Sequence, residues 1–211
     1  MITLKSMNKK EIIKRYKEKL QVISNREYEK NQIVLIGDCL IENLDIEKHL
    51  NGYKIYNNGI SGDTSELLIS TLYKRAIKYK PSKLFISIGS NDMGFEKTSV
   101  KDIYNNIITI VEEVKKRSRD TDIHIVSVIP VNPANMESIN REYVDSRDNN
   151  EISMLNYYLK NYVRKNKLKF VDITKHLKND FEQLDLSYTL DGFHLNEIGY
   201  HVVSEQIKMY I

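Results

Sequence analysis

Ile33-Val-Leu-Ile-Gly-Asp-Cys-Leu40 is an apolar, partly β-branched run that breaks at a Gly-Asp pair and passes into a helix-like segment. Four apolar residues closed by a turn signal read as a buried strand, here residues 33–36. The pattern recurs at residues 53–56, 84–88, 123–129 and 169–173. Helical periodicity separates these runs, at about 40–50, 64–80, 99–117 and 149–165, and a last helix is expected over about 196–210. Strands alternating with helices imply βαβ units, a parallel sheet of five strands and helices on both faces. The near-continuous apolar run Leu84-Phe-Ile-Ser-Ile88 fits a sheet buried on both sides.

Residues 8–22 read as an amphipathic helix, with Ile12, Ile13, Tyr16 and Leu20 near one face and Asn8…Glu11 as a capping-box variant. No repeat, low-complexity tract or Gly/Ser-rich linker interrupts the 211 residues. The expectation is therefore one domain, 1–211, with residues 1–30 packed on it as a helical segment. Hydrophobic residues make up 41% and charged residues 29%, which places the chain among ordinary globular proteins. The net charge of +3 arises from 32 basic against 29 acidic residues, a mixed surface. The densest basic run, Lys115-Lys-Arg-Ser-Arg119, ends a predicted helix, where cations complement the helix dipole. No basic stripe with interleaved aromatics accompanies it, so no nucleic-acid partner is expected. One cysteine gives neither an internal disulfide nor a zinc framework. A lysine-rich start without an apolar h-region, and no apolar run near 18 residues, lead to the expectation of a soluble cytoplasmic protein without a membrane span.

In open parallel sheets the site lies outside the carboxyl ends of the strands. Cys39, Gly62 and Asn91 follow the first three predicted strands, and Asp191 and His194 precede the last helix. A cysteine at a helix N-terminus gains nucleophilic thiolate character, and its own N–H can hold an oxyanion. Taken alone, Cys39 is also readable as a small buried hydrophobe. In Asn58-Gly-Ile-Ser-Gly-Asp-Thr64 the glycines allow close approach of backbone to substrate, and Gly62 offers an N–H. Asp63…Glu66 reads as a helix cap. Ser61 is a rival nucleophile that lacks the strand–nucleophile–helix turn. Asn91, in Gly89-Ser-Asn-Asp92, is either an amide donor or an Asx-turn. An Asp three residues before a His accepts from one ring nitrogen and leaves the other as base, which pairs Asp191 with His194. Asp172 is a rival acid without a histidine beside it in sequence. His49, His124, His176 and His201 receive structural readings. The irregular stretch 130–147 either lines the pocket or is a solvated loop.

Gly37-Asp-Cys-Leu40, Asn58–Thr64, Gly89–Asp92 and Asp191-Gly-Phe-His-Leu-Asn196 together resemble the SGNH hydrolases, also called the GDSL esterase/lipase family, in the family's order. Tyr188-Thr189 and Gly199-Tyr200 are similar to the platelet-activating-factor acetylhydrolase-like branch. The resemblance covers nearly the whole chain. It implies a flavodoxin-like three-layer α/β/α sandwich and ester hydrolysis or acyl transfer without metal or cofactor. The substrate would be a short-chain acyl ester of a small molecule, carbohydrate or lipid. The family's nucleophile position falls on Cys39, its oxyanion donors on the Cys39 N–H, the Gly62 N–H and the Asn91 amide, and its base and acid on His194 and Asp191. The family has serine where this chain has Cys39. Three explanations stand side by side: a natural thiol nucleophile, an engineered Ser→Cys change, or a site that binds acylated ligands without turning them over.

Overall fold

The structure, a computed structural model, describes residues 9–211. Strands β1 (Ile33–Gly37), β2 (Ile55–Gly59), β3 (Lys83–Ser87), β4 (Asp122–Val126) and β5 (Lys169–Val171) pair in the order β2-β1-β3-β4-β5. Every pairing is parallel. This is the flavodoxin-like order, in which the chain reverses its direction across the sheet between β1 and β3. Side chains alternate along each strand and so serve two cores. Val34, Ile36, Leu84, Ile86, Ile123 and Ile125 face one core, and Leu35, Phe85 and Val126 face the other.

Helices α4 (Ser65–Arg75), α5 (Val100–Arg117) and α7 (Asn149–Lys165), the last preceded by the single turn α6 (Arg141–Val144), cover the first core through residues such as Leu68, Ile107 and Leu155. The second is covered by α2 (Cys39–Glu42), α3 (Ile46–His49) and α8 (Glu197–Lys208), through Leu40, Ile46 and Val203 among others. The result is a three-layer α/β/α sandwich. In the sheet register Gly37 lies level with both Gly59 and Ser87. The chain therefore leaves β1, β2 and β3 at one height, and the loops that follow share one rim.

The predicted helix over 40–50 is two single turns. Asn43 closes the first, its N–H returning to Cys39 and Ile41 carbonyls, and Asp45 caps the second by accepting from the Lys48 N–H at 3.0 Å. The second strand lies later than expected, at Ile55–Gly59, because Asn57 and Asn58 sit inside it with their side chains bonded to backbone. Helix α1 (Lys9–Asn25) reaches past the predicted end, and the expected cap Asn8 lies outside the described residues. It is tied to the rim: Tyr16 Oη donates to Asp63 at 3.0 Å, and Arg15 and Lys19 pair with Glu42 at 2.9 and 3.2 Å. Among the described residues, no helix is long and apolar enough to cross a membrane.

Candidate active site

Cys39 opens α2 immediately after β1, and Asp38 caps that turn by accepting from the Leu40 N–H at 3.0 Å. At the first helical position the Cys39 N–H has no acceptor within the helix. The expected acidic thiol is not found. With a single turn, α2 has few aligned peptide dipoles to oppose burial. Cys39 is only 8% exposed, and burial pushes its thiol well above the usual value, with the Asp38 charge adding to the effect and Arg147 opposing it. The thiol is therefore protonated at neutral pH. Burial also pushes the Asp38 carboxyl up to about 7, against the pull of the Leu40 N–H.

Asp191 and His194 meet as the sequence suggests. Asp191 Oδ2 stands 2.8 Å from His194 Nδ1, and Oδ1 accepts from the His194 and Phe193 N–H groups at 2.7 and 3.1 Å. Burial would raise the Asp191 carboxyl, but the bonds from His194 and Phe193 outweigh it and hold the group below its usual value. With Nδ1–H given to Asp191, Nε2 is the nitrogen left to take a proton. The turn is fixed from outside by the 130–147 stretch: Asn132 N–H donates to the Gly192 carbonyl at 2.8 Å and Asn140 N–H to the Asp191 carbonyl at 2.9 Å. Val131, Ile139, Tyr143 and Val144 of the same stretch pack with Cys39 and Phe193. Tyr143 also meets the His194 ring edge-on at 4.9 Å. The stretch is thus more than a solvated loop, yet none of its residues lines the cavity that Cys39 and His194 share: it packs against the site residues from outside. The rival acid Asp172 accepts from Thr174 and faces Lys160.

Gly62 occupies a tight turn at φ +80°, a conformation that other residues adopt at a cost. The preceding Ser61 N–H donates to Glu42 Oε2 at 2.6 Å, so α2 and α1 together hold this turn. Asp63 is not a cap. Thr64 caps α4, while Asp63 is fully buried and paired with Arg75. Asn91 is buried, and its Nδ2 donates to the Asp63 carbonyl at 3.0 Å, next to Gly62. Cys39 and His194 line one cavity of about 20 Å³ together with Ser87, Ser90, Ile129 and Tyr200. That is little more than one water requires. Gly62 and Asn91 stand outside this lining, Asn91 directly after Ser90. Among the described residues, no three His, Cys, Asp or Glu side chains are grouped to hold a metal ion.

A family model described as the GDSL-like lipase/acylhydrolase family matches residues 35–202, which include all five proposed site residues. The chain belongs to the GDSL-like lipase/acylhydrolase family. N-acylneuraminate cytidylyltransferase from Escherichia coli O18:K1:H7 is 30% identical over 178 residues, 84% of this chain and 39% of that protein. The chain spans about two fifths of the length of the curated relatives it matches. A Streptococcus pneumonia protein provisionally named a platelet activating factor superposes with a TM-score of 0.83 at 29% identity, over 95% of this chain and 92% of that one. A GDSL-like lipase from Bacteroides thetaiotaomicron VPI-5482, 24% identical, shares the fold with a TM-score of 0.73 over 93% of this chain and 95% of that one.

One residue of this GDSL-like acylhydrolase carries no local sequence signal. Arg147 is 7% exposed, closes the 130–147 stretch and donates from Nη2 to Asn91 Oδ1 at 3.2 Å. Its other acceptors include Ser90 and Tyr143, so it joins the 89–92 segment to the 130–147 stretch at the site. Only the partners, more than 50 residues away in sequence for Ser90 and Asn91, reveal it.

Proposed function

We propose that the chain cleaves, or transfers, a short acyl group from an oxygen ester on an acidic sugar of the N-acylneuraminate class, through a thioester on Cys39. The observation that carries the reading is that His194, bonded through Nδ1 to Asp191, lines the same cavity as Cys39. As the acyl carbonyl is attacked, the Cys39 Sγ–H proton passes to His194 Nε2 and the new S–C bond places negative charge on the carbonyl oxygen. The Cys39 N–H, the Gly62 N–H and the Asn91 amide hold that oxygen. Asp191 keeps the ring oriented and stabilises the imidazolium. Collapse breaks the C–O bond, and His194 returns the proton to the departing sugar oxygen. Water, giving a proton to His194, or another acceptor then opens the thioester. The small cavity argues against a long acyl chain. The sugar class is supported by the E. coli relative, whose name specifies N-acylneuraminate.

Steady-state hydrolysis of an acetyl ester and of an O-acetylated N-acylneuraminate tests this reading. The wild-type chain is expected to release acetate from both, and Cys39→Ala to release none. Burial of the Cys39 thiol favours a second reading, a serine-esterase site slowed by sulfur. On that reading Cys39→Ser is faster on oxygen esters, whereas a folded but slower serine form assigns the site to sulfur. Equal inactivity of both forms across acyl lengths contradicts acyl transfer and leaves a module that binds acylated ligands.

A further inference from the structure

We propose that Arg147 is a positioning residue of the oxyanion site, its guanidinium setting the direction in which the Asn91 amide donates. The inference rests on the acyl-transfer reading above and assigns a residue that reading does not contain. An amide can face either way, and which end carries the donors is settled by its neighbours. Arg147 Nη2 offers only a donor, so the Asn91 atom at 3.2 Å must be the oxygen. The Asp63 carbonyl, 3.0 Å from the other end, fixes one Nδ2–H and leaves the second N–H to donate elsewhere. The two contacts clamp the amide from opposite sides.

The guanidinium is itself held. Nε donates to the Ser90 carbonyl and hydroxyl, both at 3.1 Å, and Nη1 to the Tyr143 carbonyl at 2.6 Å and the Ser146 hydroxyl at 3.0 Å. Its Cζ lies 4.0 Å from the Phe193 ring centroid. None of these acceptors is a carboxylate, so the charge is not neutralised by a direct hydrogen-bonded partner. With nearly every N–H occupied by protein, Arg147 is built to hold neighbours and has little left for a ligand. Space for it is reserved: a Cβ on Gly94 would stand 2.5 Å from Cζ and 2.6 Å from both Nη atoms. A single ammonium could not reach Ser90, Tyr143 and Asn91 together, so lysine is not an equivalent residue.

The test is a double-mutant cycle between Arg147→Met and Asn91→Ala, read by affinity for a trifluoromethyl ketone. The Cys39 thiol adds to such a ketone to give a tetrahedral hemithioketal, followed by fluorine NMR. Arg147→Met is expected to weaken the adduct about tenfold or more in the wild-type background, and less than about twofold when Asn91 is already alanine. Gly94→Ala, which displaces the guanidinium without removing it, is expected to repeat both results. Arg147→Lys is expected not to restore affinity. Equal losses in the two backgrounds, no loss in either, or full rescue by lysine would each overturn the proposal. A wild-type chain that forms no adduct overturns acyl transfer at Cys39 instead. The Asn91 side-chain amide resonances then decide on Arg147: their hydrogen exchange accelerates in Arg147→Met if the clamp is real, and an unchanged rate refutes it.

Discussion

Replacing His194 with alanine is expected to lower acyl-ester turnover by about 10²–10⁴-fold, the usual contribution of a positioned proton acceptor, without loss of the fold. The buried thiol of Cys39 is what makes the effect large. A thiolate formed in advance would need a base mainly for the leaving group. On the proposed mechanism, burial raises the Cys39 thiol and so favours its protonated form, and His194 is the group that removes the proton during the attack. The side chain is partly solvent-facing, at 11% exposure, and its principal polar partner is Asp191. Its removal should therefore cost little stability. Steady-state kinetics beside a urea titration check both halves. A folded variant with unchanged turnover would place the base elsewhere.

Arg75→Met is expected to destabilise the chain by about 3–5 kcal/mol, the scale of a buried charge pair broken on one side. Arg75 and Asp63 are both fully buried and bonded through Nη1 and Oδ2. Nε also donates to the Asn58 carbonyl at 3.0 Å and Nη2 to the Gly37 carbonyl at 2.8 Å. One guanidinium thus fastens the ends of β1 and β2 to the residue that follows Gly62. Burial pushes the Asp63 carboxyl up to about 6 even with Arg75 and Tyr16 pulling it down. Methionine would take the cation from that carboxyl, leaving it the Tyr16 hydroxyl, and would remove one donor from each of the Asn58 and Gly37 carbonyls. A loss of several kcal/mol is a large share of the stability of a typical domain. The urea midpoint of unfolding should fall sharply at unchanged slope. An unchanged midpoint would mean that the rim is held by packing alone.

The sheet was legible because each strand is an apolar run and each helix between them is amphipathic, patterns that local sequence carries in full. The second strand was expected at 53–56 because the apolar run stops before Asn57 and Asn58, residue types that favour turns. In the fold Asn57 Nδ2 bonds the Ile41 and Leu44 carbonyls and Asn58 Nδ2 the Arg75 carbonyl, so two polar side chains are satisfied inside a strand. The helix expected after Cys39 failed for a similar reason, since Asn43 and Asp45 each bond to backbone more favourably than they continue a helix. Asp191 and His194 were legible because their contact spans three residues. Asp63 and Arg147 were misread or missed because their partners are distant: Arg75 and Tyr16 for the one, Ser90 and Asn91 for the other. The acidity expected of Cys39 rested on position alone, and burial, which a sequence does not print, reversed its sign.

Covalent acyl transfer at Cys39 is the centre of this account, and intact-protein mass spectrometry after rapid mixing with an acetyl ester tests it most directly. The expected species is one acetyl group heavier, mapped to Cys39 by peptide sequencing, absent in Cys39→Ala and formed far more slowly in His194→Ala. Acetate release with no adduct on position 39 at any mixing time, or the same adduct in both variants, would contradict it.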